Sequence, residues 1–277
     1  MENNLSELIE RQKANVRINE CDYRKDGLLY CGKCDTPKEV MAEAFGKPIV
    51  IPCLCVCEAK KRDEREAELK RQKELGKILN LRKLGFSEDE MQNWTFDKDD
   101  GSNPKTIETA KRYVECFGEM YQDGKGLLLF GGTGTGKTFT AACIANALID
   151  KGVPCLMTNF ARLINTISGT YEKQDVLDKL NRYSLLVIDD LAAERDTEYM
   201  SETVYNIIDA RYRSGKPLIV TTNLTAEELK NPLELRKQRI FSRLYEMCIP
   251  IHVEGPDRRK AKLRENVKKY SEMLKGE

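Results

Sequence analysis

Residues Gly131, Gly132, Thr133, Gly134, Thr135, Gly136, Lys137 and Thr138 read GGTGTGKT, directly after the apolar run Leu127–Phe130. Glycines at this density let successive backbone N–H groups turn inward on one anion, and a helix that follows adds its positive end. Lysine then supplies a charge for nucleotide phosphates and the threonine hydroxyl a ligand for Mg²⁺. Strand, Gly-x4-Gly-Lys-Thr and helix in that order predict a phosphate-binding loop. A second stretch, LLVIDD, is an apolar strand ending in Asp189 and Asp190. In a parallel sheet those carboxylates emerge where ligands bind. Asp189 is placed to hold Mg²⁺ through water, and Asp190 to orient or deprotonate an attacking water.

Three further groups carry chemistry. PLIVTTN ends in Asn223, which can reach a γ-phosphate or a water, although Asn is equally ordinary at the start of a turn. RIFSRLYE puts Arg239 and Arg243 four apart on one helical face. An arginine delivered from a neighbouring subunit can stabilise phosphoryl-transfer charge, whereas the same residues also suit a solvated helix. The third group is sulfur. Of ten cysteines, Cys21, Cys31, Cys34, Cys53, Cys55 and Cys57 crowd one short stretch. Cys31-x2-Cys34 with a second close group fits a structural, tetrahedral Zn²⁺ site. Cys31, Cys34, Cys53 and Cys57 are the favoured ligands, with Cys55 the alternate and Cys21 spare. A catalytic zinc is disfavoured because four thiolates close the site and no histidine lies near it.

These groups need a scaffold, and the pattern supplies one. The chain has 277 residues and a formal net charge of +1, so a basic surface for nucleic acid must be local. Its first residues show no apolar secretory segment, and no apolar run approaches the roughly 20 residues needed to span a bilayer. A soluble, cytoplasmic protein without membrane partners is the expectation. Residues 1–57 form a cysteine-rich module too small to build much core alone. Residues 58–77 are almost wholly charged and predict a helical linker with Glu58–Arg62 and Glu66–Lys70 pairs. Residues 78–277 turn globular. Asn103-Pro104 predicts an N-cap and first helical residue, with Ile107, Ala110, Val114, Phe117 and Tyr121 at helical spacing up to Gly124. Short apolar strands at Leu127–Phe130, Cys155–Met157, Leu185–Ile188 and Leu218–Val220 alternate with helices. That alternation predicts an α/β fold with a parallel sheet covered on both faces.

From about Phe96 to Arg259 the chain resembles the AAA+ ATPases of the DnaC/DnaI/IstB-like helicase loader group. GLLLFGGTGTGKT, FARLINTI, LLVIDDLAAER, IIDARYRSGKPLIVTTNL and RIFSRLYEMCIPIHVEGPDRR carry the likeness. LLYCGKC…PCLCVCEAKKR is similar to the cysteine-rich leader of phage and Firmicutes members. The resemblance implies ATP as the nucleotide, Gly131–Thr138 as Walker A and Asp189 with Asp190 as Walker B. It implies Asn223 as sensor 1, Arg243 as the arginine finger, and Arg258 or Arg259 as sensor 2. Asp190 stands where many AAA+ proteins carry Glu, which implies slow hydrolysis. As a function it implies loading of a hexameric replicative helicase onto single-stranded DNA, with ATP-dependent self-association and a zinc module that grips the helicase. Arg258, Arg259, Lys260, Lys262 and Arg264, with Lys268 and Lys269, would offer phosphate contacts. An IstB-type ATPase assisting a transposase is the alternative. A third reading is an adaptor that keeps nucleotide as a stabilising ligand.

Overall fold

The computed structural model describes residues 18–44, 46–191, 198–232 and 234–275. The side chain of Lys262, and residues 192–195 of the LLVIDDLAAER stretch, lie outside the described residues. The chain divides into two compact units, residues 1–76 and 77–277.

The first unit holds two antiparallel hairpins. Strands β1 (Tyr23–Lys25) and β2 (Leu28–Tyr30) pair across Asp26-Gly27. Both turn residues have positive φ, 52° and 81°, the requirement of a two-residue turn matched to strand twist. β3 (Glu39–Ala44) pairs with β4 (Lys47–Pro52). Helix α1 (Val56–Gly85) follows. It is longer than the expected 58–77 because Ile78 and Leu81 find apolar partners in the second unit's own core. The expected Glu58–Arg62 pair does not form. Glu58 sits 3.1 Å from the Lys38 ammonium instead, and Arg62 pairs with Asp63 and Glu66. Lys38 is buried and also meets Asp22 at 2.9 Å. Burial alone would lower its pKa, but these two carboxylates hold it above the ordinary lysine value.

The second unit is a five-stranded parallel sheet. β5 (Gly126–Phe130), β6 (Cys155–Asn159), β7 (Leu185–Leu191), β8 (Leu218–Thr222) and β9 (Cys248–His252) stand in the order β6-β7-β8-β5-β9. Successive strand residues face opposite ways, so one apolar run serves two cores. Leu127, Leu129, Leu185, Val187 and Ile219 join one layer; Leu128, Leu186, Ile188, Leu218 and Val220 join the other. Both faces are covered, as the continuous apolar strands predict. The first layer packs on α2 (Pro104–Glu115), α3 (Phe117–Gln122) and α4 (Lys137–Asp150). The second packs on α5 (Phe160–Ser168), α6 (Lys173–Leu180), α7 (Glu198–Arg213) and α9 (Leu235–Met247), with short α8 (Ala226–Lys230) beside them. Basic α10 (Arg258–Lys275) ends the described chain.

Two local expectations need correction. The helix from Pro104 is broken at Cys116, and Asn103 does not cap it through its side chain. The Asn103 amide donates to the Glu254 carbonyl, and its oxygen accepts from the Thr106 hydroxyl. β9 was not anticipated, because CIPIH carries a proline, which a sheet tolerates only at an edge. Among the described helices, none is long and apolar enough to cross a membrane.

Candidate functional site

The phosphate loop links the end of β5 to the start of α4, at the sheet edge where Asp189, Asp190 and Asn223 also emerge. Gly136 has φ of 99°, and a Cβ there would stand 3.1 Å from the Arg258 guanidinium. Gly134, at φ 76°, would drive a Cβ into the Asp257 carboxylate, and its carbonyl accepts from Arg258 N–H at 3.1 Å. Both positions therefore need glycine for conformation and for space.

Lys137 is buried. Its ammonium donates to the carbonyls of Gly131 (2.9 Å) and Gly132 (2.7 Å) and to Asn223 Oδ1 (2.8 Å). Burial pushes its pKa down, opposed by Asp190 and Asp189 and assisted by the charge of Arg259. Asn223 in turn donates to Asp190 Oδ1 at 3.5 Å. Asp189 is buried and accepts from the Thr221 hydroxyl at 2.5 Å. Loss of water around it raises its pKa, although bonds from Thr221 and Thr138 act the other way. Asp190 has φ of 59° in a non-glycine residue, where the β7–β8 register shifts between Ile188 and Leu191. That conformation costs of order 1 kcal/mol or more and turns the second carboxylate out of the sheet.

These residues converge on a cavity of 660 Å³. Thr133, Gly134, Gly136, Lys137, Thr138, Asp189, Asp190, Asn223, Arg258 and Arg259 line it, while Gly131, Gly132 and Thr135 shape the loop behind. Arg258 is also held 3.1 Å from Asp100. Arg243 is elsewhere: it lies over the Tyr212 ring, 4.3 Å from its centroid, paired with Asp209 and Glu246. The opposite wall of the cavity holds Glu88, Met91, Trp94 and Phe139, none of them singled out from the sequence. Trp94 and Phe139 rings meet at 6.1 Å. Asn146 donates to the Met91 and Trp94 carbonyls and so fixes that turn against α4. The lone tryptophan upstream of the glycine loop was the available signal. The cavity thus combines charged groups, Lys137, Arg258, Arg259, Asp189 and Asp190, with apolar Met91, Trp94 and Phe139. Buried Asp189 beside the Thr138 hydroxyl is a carboxylate short of a cation, which fits Mg²⁺.

A second cluster lies in the first unit. Sγ atoms of Cys31, Cys34, Cys55 and Cys57 all fall within 4.8 Å of one another. Zinc with sulfur at about 2.3 Å places tetrahedral sulfurs about 3.8 Å apart, so the set fits that ion. This corrects the favoured quartet. Cys53 faces away, its thiol donating to the Pro37 carbonyl and its N–H to that of Lys38. Cys55 takes its place. Thr36 braces the cluster, its hydroxyl 3.0 Å from Cys34 Sγ, which lowers that thiol to about 6. Gly32 between the first two ligands abuts the Cys21 carbonyl, and no side chain would fit there.

Residues 61–266 match the family described as IstB-like ATP binding protein. The replicative helicase loader DnaI of Bacillus subtilis (strain 168) is 27% identical over 199 residues, 66% of this chain and 64% of that protein. The chain thus spans less than two thirds of that loader's length. An ATP-binding protein of an insertion sequence in Mycobacterium tuberculosis (strain ATCC 25618 / H37Rv) is 25% identical over 203 residues, 72% of this chain and 79% of that one. Among solved structures, the DnaC helicase loader superimposes with a TM-score of 0.53 at 26% identity, over 60% of this chain and all of that one.

Proposed function

The chain belongs to the IstB-like ATP binding protein family, its core a P-loop AAA+ parallel sheet flanked by helices, and we propose that it is an ATP-hydrolysing loader that places a hexameric replicative helicase on single-stranded DNA. The observation that carries the reading is the single cavity on which Lys137, Thr138, Asp189, Asp190, Asn223 and Arg259 converge. The loop N–H groups hold the ATP phosphates, and Lys137 exchanges its carbonyl partners for phosphate oxygens. Thr138 and Asp189 hold Mg²⁺, which supplies charge neutralisation at the phosphates. Asp190 and Asn223 orient the attacking water, and Trp94, Met91 and Phe139 receive the base. Arg243, outside its own cavity, serves a neighbouring subunit's γ-phosphate, so turnover requires self-association. The Cys31/Cys34/Cys55/Cys57 module holds Zn²⁺ and grips the helicase, and basic residues of α10 contact DNA phosphates.

A second reading is supported by the insertion-sequence relative, which this chain covers more fully than it covers DnaI. On that reading the ATPase assists a transposase. The two separate by capture of partners on the tagged, ATP-bound protein in its native lysate. Recovery of the replicative helicase, lost on deleting residues 1–57, is the expected outcome. Recovery of a transposase without helicase would establish the second reading.

A further inference from the structure

Helix α9 presents two arginines, each over a tyrosine of α7. Arg239 lies over Tyr205 at 4.4 Å and Arg243 over Tyr212 at 4.3 Å. The two differ in what else holds them. Among the described residues no carboxylate pairs with Arg239. Arg243 faces Asp209, a buried side chain on α7, whose Oδ1 stands 3.3 Å from the arginine Nε, an ion pair without a hydrogen bond. The other oxygen of Asp209 is 2.6 Å from Arg213, one turn on along the same helix. Glu246 approaches Nη1 of Arg243 at 3.7 Å. The guanidinium therefore sits over a ring with carboxylates near its Nε and Nη1, and the side chain as a whole stays partly exposed.

A planar cation held between an aromatic ring and a buried carboxylate has fewer orientations than one free in solvent. A buried carboxylate is costly, and it is retained where geometry repays that cost. We propose that Asp209 is a positioning residue for Arg243: it holds the guanidinium ready to meet the nucleotide of the adjacent subunit. The proposal rests on the reading of Arg243 as acting in trans. Stabilisation of the α7–α9 packing alone is the competing account, and it makes different predictions. Asp209→Asn keeps the shape and removes the charge. Neither partner is left as an isolated buried ion, because Arg213 is solvated and Arg243 retains its ring and Glu246.

The test compares ATP turnover and ATP affinity for Arg243→Ala, Asp209→Asn and the double variant, each alone and mixed with Lys137→Ala protein. Misplacing a catalytic group by about 1 Å costs up to about 100-fold, so Asp209→Asn should lose roughly tenfold or more in turnover with ATP affinity unchanged. The double variant should be no slower than Arg243→Ala alone. Mixing with Lys137→Ala should restore turnover to Asp209→Asn as it does to Arg243→Ala, because the partner brings an intact Arg243–Asp209 pair. A packing defect would not be rescued in this way. Wild-type turnover in Asp209→Asn, or a loss that mixing fails to restore while Arg243→Ala is restored, overturns the proposal. Wild-type turnover in Arg243→Ala removes the trans reading and the proposal with it. Should Asp209→Asn fail to fold, Asp209→Glu, which keeps the charge one methylene further out, is read against the same outcomes.

Discussion

Among its apolar side chains the first unit buries Leu29, Cys31 and Cys55, whereas the second buries two aliphatic layers on either side of a five-stranded sheet. The contrast is one of size. A few dozen residues cannot remove enough apolar surface from water to offset their ordering entropy, and such modules lean on metal. Two hundred residues can stand on burial alone. The polar groups differ as well: the first unit gathers four thiols and a Lys38–Asp22–Glu58 network, while the second gathers Lys137, Asp189, Asp190 and Asn223 around one cavity.

Metal removal is the sharpest way to break the comparison. Structural zinc contributes about 10 kcal/mol or more to small modules, so a strong chelator should unfold residues 18–57 and leave ATP binding intact. Circular dichroism and nucleotide titration on the same sample check this. Cys55→Ser should release the metal and Cys53→Ser should retain it, as read by elemental analysis. Loss of metal in Cys53→Ser with retention in Cys55→Ser would return Cys53 to the ligand set.

Burial governs the second unit, so its response is to cavities rather than chelators. Leu128 is fully buried on β5, an interior strand of the sheet, and Leu128→Ala should cost about 2–5 kcal/mol in chemical denaturation. Metal content should not change. Lys137→Ala should abolish or greatly weaken ATP binding at little cost to stability, since a buried, partly desolvated cation is removed with the phosphate ligand it provides. Calorimetric titration with ATP and Mg²⁺ reads this directly.

The smallest effect expected is on acid stability of the first unit. Asn19 N–H and Lys38 hold the Asp22 carboxylate down to about 2 from an ordinary 3.8. Because the folded pKa is depressed, the stabilisation is complete above about 4 and is lost as pH falls towards 2. Asp22→Asn should lack that component of the acid transition. An identical profile in the variant would remove Asp22 from the network.

Much of this was readable from sequence where the signal is local. Strands β5 to β8 announce themselves as short apolar runs bounded by turns, and the glycine loop follows its strand at the spacing phosphates require. What escaped was non-local. In CLCVC the spacing admits three ligands for two places. Only the path of the chain, with β4 ending at Pro52 and α1 starting at Val56, turns Cys55 in and Cys53 out. Trp94 and Met91 reach the cavity through Asn146, about fifty residues on. Arg211 is fully buried with no carboxylate partner among the described residues, its guanidinium donating to the carbonyls of Tyr183, Ser184 and Pro217. A charge satisfied wholly by backbone leaves no pattern in the sequence.

On the proposed function the cavity around Lys137 hydrolyses ATP, with Asp190 serving the water and not the nucleotide. Side-by-side measurement of ATP affinity and turnover in the wild type and Asp190→Asn tests it most directly. Hydrolysis by the wild type is expected, with unchanged affinity in the variant and turnover reduced by about 100-fold, the range of a lost general base. Turnover by Asp190→Asn at the wild-type rate would contradict it.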